Sequence, residues 1–508
     1  MDYMIGIDLG TSSTKTVLFD RNGHAIRSAT RFYPMSQPRN GWAEQDPEDW
    51  WKAAKETVRE VLRDAGISPA DVRGVGLSGQ MHGLVALDAQ DRVLRPSILW
   101  CDQRTAAECE QLTRSVGAAR LVEITANPAL TGFTASKILW MRNHEPELFA
   151  KVRRILLPKD YLRLRLTGEY ATDVSDASGM QLVDVARREF SAEMLGHLGV
   201  EPSWLGHLYE SCEVSGRISD AAARETGLAA GTPVAAGAGD QAAGAVGNGI
   251  VREGLVSSTI GTSGVVFAHL DRMAVDPGGR VHTFCHAVPG AWHVMGVTQA
   301  AGLSLQWFRD HFCEPEKAEA ERQGIDPYIL MDREAEGVPL GADGLLYLPY
   351  LMGERTPHLD PNCRGVFFGI SARHGRPEFV RAVMEGVGYS LMDCMDLLRG
   401  MGVPVSEVRA SGGGGKSVLW RGMQADMFDT GVATLVSSEG PALGAAILGG
   451  VAGGMFPDVR TACDATVAVK SRQQPDPAAH EAYRTRHALY RGLYASLKDD
   501  FRRLSELA

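Results

Sequence analysis

The sequence predicts an α/β protein built from two related domains, and three features of the chain support this. A length of 508 residues exceeds the ~100–200 residues of a typical domain, and 44% apolar against 22% charged residues is the composition of a folded protein. Strand and helix patterns alternate along the N-terminal part. A strand–turn–strand pattern near the N-terminus also recurs about half a chain later. We therefore expect domains of residues 1–249 and 250–508, divided near Gly249–Gly254, where small residues dominate.

The chain opens with the pattern of an antiparallel meander. Met4–Asp8 and Thr14–Phe19 read as strands, and Asn22-Gly23 favours a tight hairpin before a third strand at Ala25–Arg27. The second copy of this pattern, at Leu255–Ala268, again has a Gly-Thr-Ser turn between two strands. Two such hairpins indicate that the two halves are built alike.

Helical spacing predicts two long helices. One follows a good N-cap at Asp46 and stops at Gly66, before a strand at Val72–Leu77. The other covers Ala478–Leu507 and is expected to pack on the second domain. The stretch Gly440–Phe456 is mostly Gly and Ala and is too short and too weakly apolar for a membrane span, so we interpret it as a close-packed buried helix and turn.

Charge and composition narrow the possible partners. The chain has 52 basic and 62 acidic residues, and a net charge of −10 argues against a large sequence-independent attraction to nucleic acid or anionic membranes. Eight scattered cysteines without a C-x-x-C pair argue against a structural zinc site or a disulfide framework. The start, Met1–Gly6, lacks the basic region of a signal peptide. We expect a cytoplasmic protein with a small-molecule partner, and neither nucleic acid nor membrane as a partner.

Two donor-rich turns suit the phosphates of a nucleotide. Asp8 ends a buried strand, and the turn after it, Leu9–Ser13, offers backbone N–H groups and hydroxyls to phosphate oxygens. The Asp8 carboxylate suits a hydrated Mg²⁺. An ordinary Asp-Gly turn is the alternative. Because Gly261–Gly264 repeats the turn in the second half, two facing turns could clamp one polyphosphate.

A third glycine-rich segment, Gly412–Gly415, lies before a helical pattern at Val418–Phe428. It misses the Walker A spacing because Ala410 stands where the first glycine is required. Gly237–Ala242 likewise departs from G-x-G-x-x-G at its last position. Glycines before a helix still let the backbone lie flat against a nucleotide, and the helix N-terminus favours anions.

Asp240 is the most informative carboxylate of the sequence. It lies in a Gly- and Ala-rich stretch, Ala235–Gly247, that offers no nearby cation. Such an aspartate could be a general base, and the N-cap of the following helix is the alternative role. The two roles are compatible because a cap also orients the carboxylate.

Polar side chains also follow other predicted strands, and ligands bind at the carboxyl ends of the strands in α/β sheets. A lone histidine at such a place is more often structural, and an aspartate two residues before an arginine can be a surface pair of little energetic value. The candidate residues for reading the hydroxyls of a small polar ligand are Gln80, Met81, His82, Trp100, Asp102 and Arg104.

Longer segments resemble the signatures of the FGGY family of carbohydrate kinases. Gly132–His144 is similar to the first signature, and Gly365–Ile370 with the following Glu378–Glu385 is similar to the second. The resemblance covers nearly the whole chain. It implies two actin-like, ribonuclease-H-like ATPase domains around a central cleft, and an enzyme that uses ATP and Mg²⁺ to phosphorylate a sugar. Similar enzymes also suggest a homodimer.

Within the family, Ser78–Gly83, Leu157–Arg163, Asp173–Ala177 and Ser411–Asp426 resemble most closely the members that phosphorylate D-xylulose. Gln241 departs from this pattern, since many of those members have Asn there, and Cys101 stands where several have Asn. Kinases for another pentulose or a polyol, and a non-kinase ATPase of the actin fold, are therefore the alternatives.

The resemblance also implies roles for individual residues. Asp240 would take the proton from the 5-hydroxyl of the sugar, Met81, His82 and Gln241 would line the sugar pocket, and Asp8 would serve the metal. The residues expected to contact ATP, directly or as part of the glycine-rich turns, are Thr11, Ser12, Lys15, Gly261, Thr262, Gly302, Gln306, Gly413, Gly414 and Ser417.

Overall fold

Two seven-stranded mixed sheets form the framework of the protein in a computed structural model that describes residues 2–507. Met1 and Ala508, the outer ends of the two predicted domains, lie outside the described residues. The α/β class predicted from the sequence is confirmed. The predicted boundary near residue 249 stays a prediction, although each large sheet draws its strands from one side of it.

The N-terminal half contains fifteen strands and ten α-helices among the described residues. The strands are β1 (Tyr3–Leu9), β2 (Ser13–Asp20), β3 (Ala25–Phe32), β4 (Glu44–Gln45), β5 (Val72–Gly79), β6 (Val85–Leu87), β7 (Ser97–Ile98), β8 (Arg154–Leu156), β9 (Ala171–Asp173), β10 (Val183–Asp184), β11 (Glu189–Phe190), β12 (His207–Tyr209), β13 (Val214–Arg217), β14 (Pro233–Ala235) and β15 (Ala238–Gly239). The helices are α1 (Pro47–Ala65), α2 (Ala106–Val116), α3 (Ala118–Thr125), α4 (Thr134–His144), α5 (Pro146–Phe149), α6 (Pro158–Thr167), α7 (Val174–Ala177), α8 (Ala192–Leu198), α9 (Asp220–Thr226) and α10 (Asp240–Gly247).

The C-terminal half follows with nine strands and eight α-helices within the described chain. The strands are β16 (Gly254–Ile260), β17 (Gly264–Leu270), β18 (His282–Cys285), β19 (Trp292–Thr298), β20 (Leu346–Leu348), β21 (Val366–Phe368), β22 (Val405–Gly412), β23 (Val432–Leu435) and β24 (Val469–Gln473). The helices are α11 (Gly302–Phe312), α12 (Glu314–Gln323), α13 (Pro327–Glu336), α14 (Arg376–Gly400), α15 (Val418–Phe428), α16 (Gly440–Ala452), α17 (Val459–Thr466) and α18 (Pro477–Leu507).

The two large sheets repeat one arrangement of strands. In the first sheet, of order β13-β14-β5-β1-β2-β3 with β15 also on β5, β1 pairs antiparallel with β2 and parallel with β5. In the second, of order β18-β19-β17-β16-β22-β23-β24, β16 pairs antiparallel with β17 and parallel with β22. The internal repeat predicted from the two hairpins is confirmed.

Local signals explain the helices that the sequence predicts. Asp46 caps α1 by accepting a hydrogen bond from the backbone N–H of Glu48, and Gly66 ends the helix in a left-handed conformation. Helix α18 buries Tyr483, Leu493 and Phe501 in the core around the second sheet, as its spacing predicts, and it buries Tyr490 instead of the exposed Leu489. Among residues 2–507, none of the helices combines the length and the apolar character needed to cross a bilayer.

Helix α16 packs on the first sheet although it follows strands of the second. Glycines allow this approach, because a Cβ on Gly6 would lie 1.9 Å from the carbonyl oxygen of Ala442, and one on Gly76 would lie 1.8 Å from that of Ala445. The expected buried helix of small residues is therefore present. It joins the two halves through direct backbone contact, where side chains would not fit.

Candidate active site

Strand register brings Asp8 and Asp240 to the same edge of the first sheet. Asp8 lies beside Ser78 of β5, which in turn lies beside Ala238 of β15, two residues before Asp240. Gly239 holds the N-cap position of α10 and makes no side-chain cap, so Asp240 lies in the first turn of the helix and is not its N-cap. The Asp240 carboxylate is thus set at a strand end by the backbone on both sides of it.

The two carboxylates influence each other. Burial and, second, the charge of Asp8 raise the pKa of Asp240 to about 7. Burial also raises the pKa of Asp8, although a hydrogen bond from Ser78 Oγ (2.8 Å) and the charge of Lys15 oppose this. A carboxyl group that titrates near neutral pH is suited to proton transfer.

The turn after Asp8 is held by buried amide side chains. Gln80 donates to Gln45 Oε1 (3.1 Å), and Gln45 donates to the carbonyl oxygen of Thr11 (2.6 Å). Trp100, which is 43% exposed, donates from Nε1 to Thr11 Oγ1 (2.9 Å). Gln80 and Trp100 therefore contact the turn at Leu9–Ser13 that was predicted to bind phosphate. From the sequence, both residues were instead expected to contact the sugar. The adjacent Ser12 is exposed.

Met81 and His82 form a wall next to Asp240. A Cβ on Gly239 would lie 2.8 Å from Met81 Cγ, so Met81 contacts the backbone just before Asp240. His82 Nδ1 lies 2.9 Å from the carbonyl oxygen of Gly179, and only a protonated Nδ1 can make this bond. Burial lowers the pKa of His82 to about 3, so the ring is neutral and Nε2 is an acceptor for a ligand hydroxyl.

The segment with the first family signature fixes this wall. Lys137 Nζ donates to the carbonyl oxygen of His82 (2.8 Å) and to that of Gly132, and Thr134 Oγ1 donates to the His82 carbonyl as well (3.0 Å). His82 itself has a φ of 70°, a conformation that few side chains adopt without such support. Burial lowers the pKa of Lys137 to about 7. No individual role was predicted for Lys137 from the sequence, because its partners are backbone carbonyl groups and one of them, that of His82, is 55 residues away.

Asp102 and Arg104 face each other inside the first domain. The guanidinium of Arg104 lies 2.7 Å from Asp102 Oδ2, and the two side chains are 0% and 1% exposed. Arg104 also stacks on Trp42, 3.6 Å from the ring centroid. Neither the surface pair nor the ligand contact considered for these residues fits this burial, so the structure gives them a structural role.

A buried ion network lies behind Asp240. Lys159 Nζ contacts Asp160 (2.6 Å) and Asp173 (2.8 Å), and Asp173 accepts a hydrogen bond from Ser175 Oγ (2.5 Å). Ser175 Oγ in turn accepts from the backbone N–H of Gly239 (3.3 Å). This network supports the turn that carries Asp240.

In the second domain, the repeated turn contacts the start of α11. The carbonyl oxygen of Gly261 accepts from the N–H of Gly302 (2.8 Å), and that of Thr262 accepts from Ala301 (3.0 Å). A Cβ on Gly302 would lie 2.4 Å from the Gly261 oxygen, so glycine is required there. Gln306 is exposed one turn further along α11. The structure therefore brings together four residues predicted to contact ATP: Gly261, Thr262, Gly302 and Gln306.

The tetraglycine segment lies next to the same turn. A Cβ on Gly414 would lie 2.6 Å from Ile260 Cγ2, just before the turn, while Gly413 is exposed. Ser417 caps α15 by accepting from the N–H of Trp420 (3.0 Å). An exposed glycine surface before a helix N-terminus suits a flat, anionic ligand.

Lys15 connects the two halves at this cleft. Its ammonium group contacts the carboxylate of Glu439, which precedes α16, and Glu439 also raises the pKa of Asp8. Sequence reasoning missed Glu439, because only the crossing of the chain between the two sheets brings it to Lys15.

The residues present fit a magnesium ion bound through few protein ligands. Within residues 2–507 no group of three or more His, Cys, Asp and Glu side chains is arranged to hold a metal. Asp8 has one oxygen engaged by Ser78, and an Mg²⁺ bound through one carboxylate, waters and substrate phosphates needs no more.

Comparisons with known proteins show the family of the chain. Residues 3–247 match the N-terminal domain of the FGGY family of carbohydrate kinases, and residues 256–453 match its C-terminal domain. The chain is 41% identical to a xylulose kinase of Bacillus subtilis (strain 168) over 98% of both chains. It is 40% identical to a xylulose kinase of Escherichia coli (strain K12), over 97% of this chain and 99% of that one.

A solved structure extends the likeness to three dimensions. The crystal structure of a "xyloylose kinase" from Brucella ovis superposes with a TM-score of 0.89 at 38% identity, covering 98% of this chain and 99% of that one. The two-domain fold expected from the resemblance is thereby confirmed. The chain belongs to the FGGY family of carbohydrate kinases, which transfer a phosphoryl group to an alcohol.

Proposed function

We propose that this protein is a D-xylulose kinase that transfers the γ-phosphoryl group of ATP to the 5-hydroxyl and releases D-xylulose 5-phosphate and ADP. The pair of Asp8 and Asp240 at one sheet edge, with the Met81–His82 wall beside it, is the observation that carries the proposal. The full-length likeness to two xylulose kinases supports the choice of sugar.

Asp240 is the general base of the proposed reaction. Its carboxylate accepts the proton of the 5-hydroxyl as the oxygen attacks the γ-phosphorus. A pKa of about 7 makes the ionised form available at neutral pH while the group remains a useful base. The neutral His82 accepts a hydrogen bond from another hydroxyl and so orients the sugar.

The glycine-rich turns of both domains position the nucleotide. Phosphoryl transfer depends on in-line positioning and on neutralisation of charge more than on covalent chemistry. The turn at Thr11 and the turn at Thr262 offer backbone N–H groups, and Lys15 offers a cation. Mg²⁺ held through Asp8 would offset the charge of the triphosphate. Closure of the domains would exclude water that could otherwise accept the phosphoryl group.

A nucleotide-driven binding protein on the same fold would need Asp8 and the glycine-rich turns as well. It would not need a raised pKa at Asp240 or a neutral histidine in the adjacent wall. These two features favour the kinase over the ATPase alternative.

A coupled assay of ADP release tests the proposal. The panel is D-xylulose, L-xylulose, D- and L-ribulose, glycerol and gluconate. We expect release to rise sharply with D-xylulose and to remain low with the others. A higher kcat/KM for another member of the panel would make that compound the proposed substrate in place of D-xylulose. ADP release that does not change with any of these compounds would support the nucleotide-driven binding protein. The homodimer and the cytoplasmic location also stay proposals, and light scattering at several concentrations tests the former.

A further inference from the structure

Arg355 of the C-terminal domain reaches the sugar wall of the N-terminal domain. Its Nη1 lies 3.5 Å from Nε2 of His282 on β18. The ring of Phe133 joins His82 to His282, with centroid distances of 4.6 and 5.8 Å. The charge of Arg355 lowers the pKa of both histidines. Arg355 therefore lies at the surface between the domains, close to His82.

The guanidinium of Arg355 has no carboxylate partner among residues 2–507. The neighbouring Glu354 is turned away, since its oxygens accept from Thr298 Oγ1 (2.6 Å) and from the backbone N–H groups of Gln299 (2.9 Å) and Arg355 (2.8 Å). The charge of Glu354 acts on Arg355, but the two side chains form no ion pair among the described residues, and a partly buried guanidinium is costly unless other oxygen atoms complete its hydrogen bonds.

His282 holds Arg355 in place but accepts a hydrogen bond from only one of its N–H groups. Asn127 donates from Nδ2 to the carbonyl oxygens of Thr125 (3.0 Å) and Thr283 (2.9 Å), so its Oδ1 must accept from His282 Nδ1 (2.8 Å). The His282 proton is thus on Nδ1, and Nε2 accepts from Arg355. A guanidinium has five N–H donors, and this contact uses one of them.

Asp240 and Arg355 lie at different ends of the Met81–His82 wall, and this determines which end of a bound sugar faces each of them. Met81 contacts the backbone beside Asp240, whereas Arg355 contacts His282, which meets His82 through the ring of Phe133. Asp240 and Arg355 therefore mark opposite ends of the wall.

We propose that Arg355 binds the end of the sugar remote from the reacting hydroxyl, by donating hydrogen bonds to the oxygen atoms on C1 and C2. This inference rests on the proposed function. A C2 carbonyl oxygen can only accept, and the donor Arg355 beside the acceptor His82 Nε2 matches a ketone flanked by hydroxyls. Arg355 is then a residue that determines specificity for ketoses, supplied by the domain opposite the catalytic base.

Arg355→Met removes the donor and keeps the length of the side chain. Loss of a hydrogen bond from a charged donor corresponds to about a 10- to 100-fold change. We expect kcat/KM for D-xylulose to fall by that factor, mainly through a higher KM, while the KM for ATP changes less than about twofold. The dissociation constant of D-xylulose measured by calorimetry without ATP should rise by the same factor. Arg355→Lys should recover part of the loss.

Arg364→Met is the matched control, because Arg364 follows in the same loop and, within residues 2–507, its side chain donates only to the carbonyl oxygens of Pro361 and Cys363 (both 2.8 Å). Its sugar KM should equal that of the wild type. A sugar KM within twofold of the wild type in a folded Arg355→Met protein, or in Arg355→Ala if the Met variant does not fold, overturns the inference. A wild-type enzyme that does not act on D-xylulose overturns the proposed function instead.

Discussion

Replacing Asp240 with Asn should make the protein more stable and almost inactive. The same burial that raises the pKa of Asp240 makes its ionised form unfavourable in the folded state. A rise of the pKa from 3.8 to about 7, at about 1.4 kcal/mol for each pH unit, is worth at most about 4 kcal/mol. Asn resembles the protonated carboxyl group and avoids this cost.

The sign of the effect depends on pH. Between pH 3.8 and 7 the folded state still binds the Asp240 proton that the unfolded state has released. The wild type therefore loses stability as pH rises through this range, and above pH 7 this contribution no longer changes. The stabilisation by Asp240→Asn should therefore be full near pH 8 and smaller by about 3 kcal/mol at pH 5. Loss of the general base should lower kcat by about 10²- to 10⁴-fold, with the KM for ATP little changed.

Coupled ADP assays and thermal unfolding at pH 5 and pH 8 measure both effects on one preparation. Asp499→Asn, at an exposed position of α18, is the control and should change neither quantity. The wild-type kcat/KM should also fall on the acid side, with a midpoint at or below pH 7 because bound Mg²⁺ offsets the charge of Asp8. A kcat near that of the wild type, or an equal gain in stability at both pH values, would refute the assignment.

Three further predictions concern other parts of the molecule. Asp8→Ala should raise the Mg²⁺ concentration needed for half-maximal activity at least several-fold, and a magnesium titration identical to that of the wild type would contradict its role. His286 and His293 are fully buried and burial lowers the pKa of both, to about 3 for His293, whereas the unfolded chain takes up protons below pH 6.5. Stability should thus fall by about 1.4 kcal/mol per pH unit for each of these histidines as pH drops below 6.5, and His293→Phe should reduce that slope in pH-dependent denaturation. Gly76→Ala should lower the free energy of unfolding by about 1–3 kcal/mol or more, because its Cβ would lie 1.8 Å from a carbonyl oxygen, whereas Gly492→Ala on the open face of α18 should be neutral or stabilising in the same denaturant titration.

Much of the fold was predictable because local signals agree with it. The Asn22-Gly23 turn and the alternating strands specify the first meander, and the cap at Asp46 with the stop at Gly66 bounds α1 to within a residue. The packing of α16 was not predictable. It depends on glycines far apart in the chain whose backbones meet, and no local pattern encodes which sheet a buried helix will cover.

The candidate site divides in the same way. The sequence indicated Asp8 because it ends a strand and Asp240 because its Gly- and Ala-rich stretch offers no nearby cation, and the strand register places both at one edge of the sheet. Arg104 was misjudged, because its spacing from Asp102 says nothing about the depth of the pair. Lys137, Glu439 and Arg355 each have a contact with a residue more than fifty positions away, so only the folded chain reveals these contacts.

Because α16 packs on the first sheet, the N-terminal half truncated at residue 249 lacks part of its own core. In a fragment that ends at residue 249, the backbone of Gly6, Gly74 and Gly76 would be exposed to solvent, because α16 covers it in the full chain. Such a fragment should aggregate when expressed alone. Supplying residues 436–466 on a second polypeptide or a tethered extension should restore its solubility.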